Sequence, residues 1–362
     1  RFLTALFAAT PGEHILTGSA RMQQRPVGVL VDALRQLGAS VAYEGREGFP
    51  PLHLSGRELQ GGDVRLSASV SSQYISALLM VGPTMAKGLR LHLEGDIISR
   101  PYIDMTLGLM NAFGAEAGWE DAHTLLVRHG GYHYDGRFAI ESDWSGASYW
   151  YEAVALSPDA GARIRIPGLQ HHSLQGDAAV RHYFKPLGVD TTFTDSGVVL
   201  TKARREKAIA ATDGTVNATG KTVTPTASPV RLDLSRQPDL AQTLAVTCAM
   251  LERPFRLEGL RTLRIKETDR IAALQNELAK LGYRVEAEGD DALTWTGQRC
   301  PPQLSSGIAT YDDHRMALAF APCAFRFPGL RIQSPTVVTK SYPGYWDEWK
   351  SLGARIDTQE NN

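Results

Sequence analysis

The stretch Arg270-Ile271-Ala272-Ala273-Leu274-Gln275-Asn276-Glu277-Leu278-Ala279-Lys280-Leu281-Gly282-Tyr283-Arg284-Val285-Glu286-Ala287 carries the pattern that decides the fold. Its apolar residues recur at helical spacing, so its first part reads as an amphipathic helix. Gly282 follows at the C′ position, where a left-handed backbone costs glycine least. Residues 284–287 then alternate as a strand does. Four other segments end in the same way: 31–41 around Leu37-Gly38-Ala39, 106–117 around Phe113-Gly114-Ala115, 178–190 around Leu187-Gly188-Val189, and 345–356 around Leu352-Gly353-Ala354. Each is expected to be a helix stopped by glycine and followed by a strand.

Between them lie helices of a second kind, rich in small residues and apolar nearly all round: residues 72–81, 147–156, 240–251, 314–325 and the opening 2–9. Such a helix is a buried helix. The two kinds alternate along the chain. Gly38 and Gly114 lie 76 residues apart, and Gly282 and Gly353 lie 71 apart. A period of this size is a unit of two helices and several strands, too long for a solenoid repeat. The expected architecture is therefore α/β, with layers built around buried helices. Residues 203–229, rich in Thr, Ala, Gly and Pro, read as strand edges and a loop. A change of layer is expected at Glu141-Ser142-Asp143. The opening Arg1-Phe2-Leu3-Thr4-Ala5-Leu6-Phe7-Ala8-Ala9 has no cap, no initiator Met and no basic signal region, and suggests a chain whose beginning is missing.

Length and charge bound the function. A chain of 362 residues suggests two domains. A net charge of −1 argues against a nucleic-acid surface or a polybasic membrane patch, so any anion site must be a local focus of positive charge. No apolar run is long enough to span a bilayer. Cys248, Cys300 and Cys323 are few, odd in number and widely spaced, as in a reduced cytoplasmic protein, and form neither a disulfide framework nor a zinc pattern. His171-His172 is the only adjacent histidine pair, and no metal motif accompanies it. No Gly-rich nucleotide loop is present.

Two charged clusters stand at predicted helix starts: Arg264-Ile265-Lys266-Glu267-Thr268-Asp269-Arg270, and Tyr311-Asp312-Asp313-His314-Arg315-Met316-Ala317, with Lys340 beyond. A helix N-terminus already favours phosphate or carboxylate. Arg270 and Arg315 add forked donors, Lys266 and Lys340 add point charges, and Glu267 among them can give or take a proton. A single such cluster would read as a surface charge run; two, with matching features upstream, favour a site. Ser69-Val70-Ser71-Ser72-Gln73 opens a buried helix, where capping and ligand contact are both open readings. Ser99-Arg100-Pro101-Tyr102 repeats the arrangement, and Arg100 could face the same phosphate. Arg25, before Pro26 at a helix start, reads equally as a surface arginine or an anion ligand. Asp239 and Asp143 read as N-caps, or, for Asp239, as an acceptor for a hydroxyl proton.

Together these residues resemble the 5-enolpyruvylshikimate-3-phosphate (EPSP) synthase family of bacterial type, over essentially the whole chain and in the family's order. The most specific matches are Lys266 to Arg270, Asp313 to Ala317, Ser71-Ser72-Gln73, and Arg21-Met22 with Arg25-Pro26. The resemblance implies an α/β fold of two domains, an inside-out barrel-like arrangement of βαβαββ units hinged like a clamshell. Six units are expected in the family and about five are visible here. The domains would span residues 1–141, N-terminally incomplete, and 142–362. The implied reaction joins shikimate 3-phosphate and phosphoenolpyruvate and releases phosphate, with no metal and no cofactor, in a cytoplasmic monomer without nucleic-acid or membrane partners. By motif, Ser71, Ser72, Gln73, Ser99, Tyr102, Asp239 and Lys266 would bind shikimate 3-phosphate. Arg25, Gln73, Arg270, Arg315 and Lys340 would bind phosphoenolpyruvate. Glu267 would protonate the methylene carbon and Asp239 would take the hydroxyl proton. Arg1, Arg100, Asp313 and His314 would support them. The chain departs from the family in lacking its first repeat, in Thr262 where Asn is expected, and in a longer segment between Thr201 and Arg231.

Two other readings are distinguishable. A UDP-N-acetylglucosamine enolpyruvyl transferase would share the fold but needs a reactive loop cysteine and would bind a UDP-sugar. A non-catalytic remnant would bind shikimate 3-phosphate without turnover.

Overall fold

The computed structural model describes residues 1–68, 71–97, 100–203 and 229–357. The chain divides into two compact units, each with its own apolar core. The first comprises Arg1–Ala139 with Leu174–Gly176, the second Ile140–Ser173 with Asp177–Asn362.

In the first unit α1 (Phe2–Ala9) is followed by β1 (Gly12–Leu16), α2 (Ala20–Gln23), α3 (Gly28–Gln36), β2 (Ser40–Tyr43) and β3 (Leu52–Gly56). These strands pair antiparallel in the order β1-β3-β2. Next come β4 (Gly62–Ser67), α4 (Ser72–Val81), β5 (Leu89–Glu94), α5 (Arg100–Ala112), β6 (Ala117–Trp119) and β7 (Thr124–Val127). Their order is β4-β5-β7-β6; β4 and β5 are parallel, and the other pairs are antiparallel. A parallel pair needs a crossover, and the buried α4 supplies it. Leu89, Leu91 and Leu93 of β5 face the core while Arg90 and Glu94 face solvent, the two-residue alternation of a half-buried strand.

The second unit repeats the scheme. Its elements are α6 (Trp144–Leu156), β8 (Arg163–Pro167), α7 (Val180–Phe184), β9 (Val189–Thr194) and β10 (Gly197–Lys202), then β11 (Val230–Asp233), α8 (Ala241–Met250), β12 (Phe255–Glu258), α9 (Arg270–Lys280), β13 (Glu286–Glu288) and β14 (Ala292–Trp295), and finally α10 (His314–Phe320) and α11 (Tyr345–Ser351). Strands β11 to β14 reproduce β4 to β7 one for one, in the order β11-β12-β14-β13 with only the first pair parallel. This is βαβαββ twice over. Sheets β1-β3-β2 and β8-β10-β9 keep the same order from the second strand onward. A parallel bridge between Ile308 and Ile332, on either side of α10, marks a further unit.

All five predicted helix-ending glycines adopt the left-handed conformation, with φ between 83° and 98°. At Gly114 the requirement is also steric: a Cβ there would lie 2.3 Å from the His133 carbonyl oxygen. Four of the five lead into strands. Residues 354–356 do not, although Ala354 and Ile356 still pack on the core. The helix expected over 178–190 is broken into 3₁₀, α and 3₁₀ turns; the last of these carries Pro186, which cannot donate to the helical ladder. The opening helix is not buried all round: Thr4, Ala5 and Ala8 pack inward, while Phe2, Leu3 and Leu6 are nearly half exposed. Its small residues form the face against α4 and β3, which leaves the large ones outside. The expected loop at 203–229 lies almost wholly outside the described residues.

Every residue of α8 is buried. Beside it on α6, Glu152 is fully buried, and neither carboxyl oxygen has a hydrogen-bond partner among the described residues. The neighbouring Thr247 hydroxyl donates instead to the Thr243 carbonyl, at 2.7 Å. Burial holds the Glu152 carboxyl well above its ordinary 4.5, with Thr247 a weaker opposing influence. A carboxyl raised in this way contributes full stability below its unfolded value and loses it as pH rises toward its folded value, by about 1.4 kcal/mol per pH unit. Glu152→Gln is therefore expected to be increasingly more stable than the parent chain as pH rises from 4.5. Urea unfolding across pH checks this, and parallel stability curves for the two proteins would refute it.

Candidate active site

In the second unit, two helix starts and one turn converge. Asp269 caps α9, accepting the Ile271 and Ala272 amides at 3.1 Å each. Asp313 caps α10, accepting the Arg315 amide at 2.9 Å. Arg270, the first residue of α9, is only 2% exposed and ties these parts together. Its Nε donates to Asp313 Oδ2 at 2.6 Å and its Nη2 to Asp313 Oδ1 at 3.3 Å. Nη1 donates to Asp239 Oδ1 at 2.9 Å, and Nη2 also reaches Glu267 Oε2 at 2.7 Å. One guanidinium thus serves three carboxylates, which its fixed fork of five N–H donors permits.

Asp239, in the 3₁₀ turn Pro238–Leu240, does not cap a helix with its side chain. It faces Arg315 Nη2 at 3.3 Å, Lys266 Nζ at 3.4 Å and Arg270. Burial alone would raise its carboxyl, but Arg315, Lys266 and Arg270 together hold it far below the usual carboxylate range. Arg270 is driven the other way: burial would lower it, and Asp239 and Asp313 keep it charged. Arg315 also donates to the Asp239 carbonyl at 3.3 Å and to the Tyr149 hydroxyl at 3.4 Å. Burial pushes that phenol up to about 12, so it remains protonated. Burial, then Arg315, lowers His314 below its ordinary 6.5 and favours the neutral ring. Lys340 Nζ donates to the Asp312 carbonyl at 2.6 Å.

The first unit holds a separate polar group. Ser71 stands at the N-cap position of α4, yet its hydroxyl makes no cap bond and instead accepts Arg1 Nη1 at 3.0 Å. The same nitrogen donates to Gln73 Oε1 at 2.7 Å. Arg1 also lies 5.1 Å from the Tyr74 ring centre, and the Tyr74 hydroxyl donates to the Pro26 carbonyl, next to Arg25. Ser72 is the first residue of α4 and Tyr102 lies in the first turn of α5. Arg100 is placed otherwise: its guanidinium stacks 4.0 Å from the Trp119 ring centre and faces Asp104 at 3.9 Å. Ser99 lies outside the described residues.

Of the predicted residues, Asp239, Lys266, Glu267, Arg270, Asp313 and Arg315 thus form one contiguous network, with Lys340 joined through Asp312. Sequence reasoning missed Tyr149, which lies in an apolar helix and reads there as core. Two of the three thiols are fully buried. Burial pushes Cys248 up to about 12 and Cys323 well above its ordinary value. The Cys300 thiol donates a hydrogen bond to the Ala279 carbonyl at 3.3 Å.

The fold is that of the enolpyruvyl transferases. The structure superposes on EPSP synthase from Acinetobacter baumannii with a TM-score of 0.72 at 20% identity, covering 97% of this chain and 76% of that one. It also matches an enolpyruvyl transferase from Streptomyces tendae with a TM-score of 0.65 at 18% identity, covering 98% and 76%. The family model for EPSP synthase (3-phosphoshikimate 1-carboxyvinyltransferase) matches residues 1–349, and the chain belongs to that family. A 3-phosphoshikimate 1-carboxyvinyltransferase of Bacteroides fragilis is 49% identical over 360 residues, covering 99% of this chain and 82% of that protein. One of Shewanella halifaxensis is 36% identical over 354 residues, covering 97% and 76%.

Arg270→Met would leave Asp313 buried without its cation. It is expected to destabilise the protein by about 3–5 kcal/mol in urea unfolding, because breaking a buried pair strands a charge. Arg270→Lys is expected to recover only part of this, since an ammonium cannot fork. A loss under about 1 kcal/mol, the level of an exposed pair, would remove Arg270 from its central role.

Proposed function

We propose that this chain transfers the enolpyruvyl group of phosphoenolpyruvate to the 5-hydroxyl of shikimate 3-phosphate and releases phosphate. Family membership supports the reaction. The observation that carries it to named residues is the Asp239 carboxylate, surrounded by Lys266, Arg270 and Arg315 and adjoining Glu267 through Arg270. In this reading the two compact units are the family's two domains, and the enzyme works as a cytoplasmic monomer without metal or cofactor. Among the described residues, no helix is long and apolar enough to cross a membrane.

The chemistry needs one base, one acid and cations for the substrates' anions. Asp239 removes the proton as the hydroxyl oxygen bonds to C2 of phosphoenolpyruvate. Glu267 delivers a proton to C3, which becomes a methyl group. The tetrahedral ketal then loses phosphate, and the same methyl group returns a proton to Glu267, restoring the double bond. Arg270, Arg315 and Lys340 hold the phosphate and carboxylate of phosphoenolpyruvate. Lys266 neighbours Asp239 and contacts shikimate 3-phosphate. Ser71, Ser72 and Gln73 at the start of α4 are assigned to shikimate 3-phosphate, with Tyr102 of α5 and with Ser99. Gln73 and Arg25 are also assigned to phosphoenolpyruvate.

Lys266, Arg270 and Arg315 face the carboxylates of Asp239, Glu267 and Asp313. Incoming anions draw those cations away from Asp239. Its carboxyl then rises from its depressed value and becomes a stronger base. General acid–base help of this kind contributes roughly 10²–10⁴ in rate.

The deciding experiment measures phosphate release from phosphoenolpyruvate with and without shikimate 3-phosphate. Release that requires shikimate 3-phosphate is expected; no release from folded protein would defeat the reading. Glu267→Gln is expected to lower kcat by about 10²-fold or more while shikimate 3-phosphate binding stays within about threefold. An unchanged kcat would remove Glu267 as the acid.

A further inference from the structure

The second charged cluster opens with a turn that the reaction does not explain. The Asp313 amide donates to the Thr310 carbonyl at 2.8 Å, closing a four-residue turn. Its central residues, Tyr311 and Asp312, both have φ of 54°. A turn with both central residues left-handed ordinarily takes glycine or asparagine, and a bulky side chain there is strained. Strain of this kind persists only where the surroundings over-determine it.

The surroundings are two successive turns of α9. Glu277 is fully buried. Its Oε1 accepts the Tyr311 hydroxyl at 2.7 Å, and its Oε2 accepts the Ala309 amide at 3.0 Å and pairs with Lys280 Nζ at 2.7 Å. Lys280 Nζ in turn donates to the Gly307 carbonyl at 3.1 Å. Tyr311 is thereby gripped from one side. On the other side Arg270, seven residues earlier on the same helix, grips Asp313. What the turn presents is specific: the Asp312 carbonyl holds Lys340, and Asp313 starts the helix that carries Arg315.

We propose that Glu277 and Tyr311 are positioning residues for phosphoenolpyruvate: their hydrogen bond locks a strained left-handed turn in the conformation that presents Lys340 and Arg315. The inference rests on the reaction proposed above. Neither residue touches substrate. Without the lock the turn relaxes, the Asp312 carbonyl swings away, and Lys340 and Arg315 lose their places. Lys266 and the start of α4 are held by other contacts, so binding of shikimate 3-phosphate is affected less than that of phosphoenolpyruvate.

The test uses the full chain carrying Tyr311→Phe, which removes one hydroxyl, and separately Glu277→Gln. In Tyr311→Phe the KM for phosphoenolpyruvate should rise about tenfold, with kcat and the KM for shikimate 3-phosphate each within about threefold, as expected when a binding group is displaced by a fraction of an ångström. Amide exchange over residues 309–315 should accelerate. Adding Asp312→Gly, which keeps the carbonyl and removes the strained Cβ, should restore both readouts toward the parent values. An unchanged KM for phosphoenolpyruvate, or equal increases for both substrates, overturns the positioning role. So does failure of Asp312→Gly to rescue. If Glu277→Gln fails to fold by circular dichroism, Tyr311→Phe decides alone. Absence of turnover in the parent chain overturns the reaction itself, a result separate from turnover with unshifted KM.

Discussion

The site depends on one buried guanidinium. Arg270 is almost fully removed from water, and an unpaired charge in that position would cost several kcal/mol. It is tolerable only because Asp239, Glu267 and Asp313 reach it from three separate segments. Those segments are the turn before α8, the turn before α9 and the cap of α10. Fixing Arg270 therefore fixes three helix starts at once. It also shows how a chain of net charge −1 can gather three cations in one place. Lys266, Arg270 and Arg315 are gathered in advance and neutralised by carboxylates, so the cluster is not held apart by its own repulsion.

The repeat puts these residues within reach of one another. Strands β11 and β12 are adjacent and parallel, so the chain leaves both at the same edge of the sheet. Asp239 follows the first exit, and Lys266 to Arg270 follow the second. The first unit does the same with β4 and β5. Ser71 to Gln73 follow one exit, and Arg100 and Tyr102 follow the other. Ligand-contacting residues in open α/β sheets gather at the carboxyl ends of parallel strands, where free helix N-termini accumulate. A single supersecondary rule, applied twice, accounts for where most of the proposed site residues fall.

Legibility in the sequence followed the range of the interaction. Gly38, Gly114, Gly188, Gly282 and Gly353 were readable because a left-handed helix end is a local requirement. The charged helix starts were readable because caps and dipole effects act within one turn. Asp239 looked like a cap locally; its actual partners lie 27 to 76 residues further along the chain. Tyr149 was hidden by its apolar neighbours. Arg100 was read with the phosphate ligands, but a ring 19 residues away claims its guanidinium. The exposed face of α1 was missed because mean apolarity does not say which side of a helix packs. Pro186 was a visible breaker that the glycine pattern masked.

The electrostatics of Asp239 carry a further consequence for the proposed reaction. A carboxylate that three cations hold far below its usual range is a weak base. Each pKa unit recovered when substrate anions take over those cations corresponds to about 1.4 kcal/mol of basicity. Arg270 and Arg315, proposed above to bind phosphoenolpyruvate, are also two of the groups that suppress Asp239. In this reading occupancy and basicity are coupled through shared hydrogen bonds. In the proposed reaction, the network that stabilises the folded site therefore also sets the basicity of Asp239.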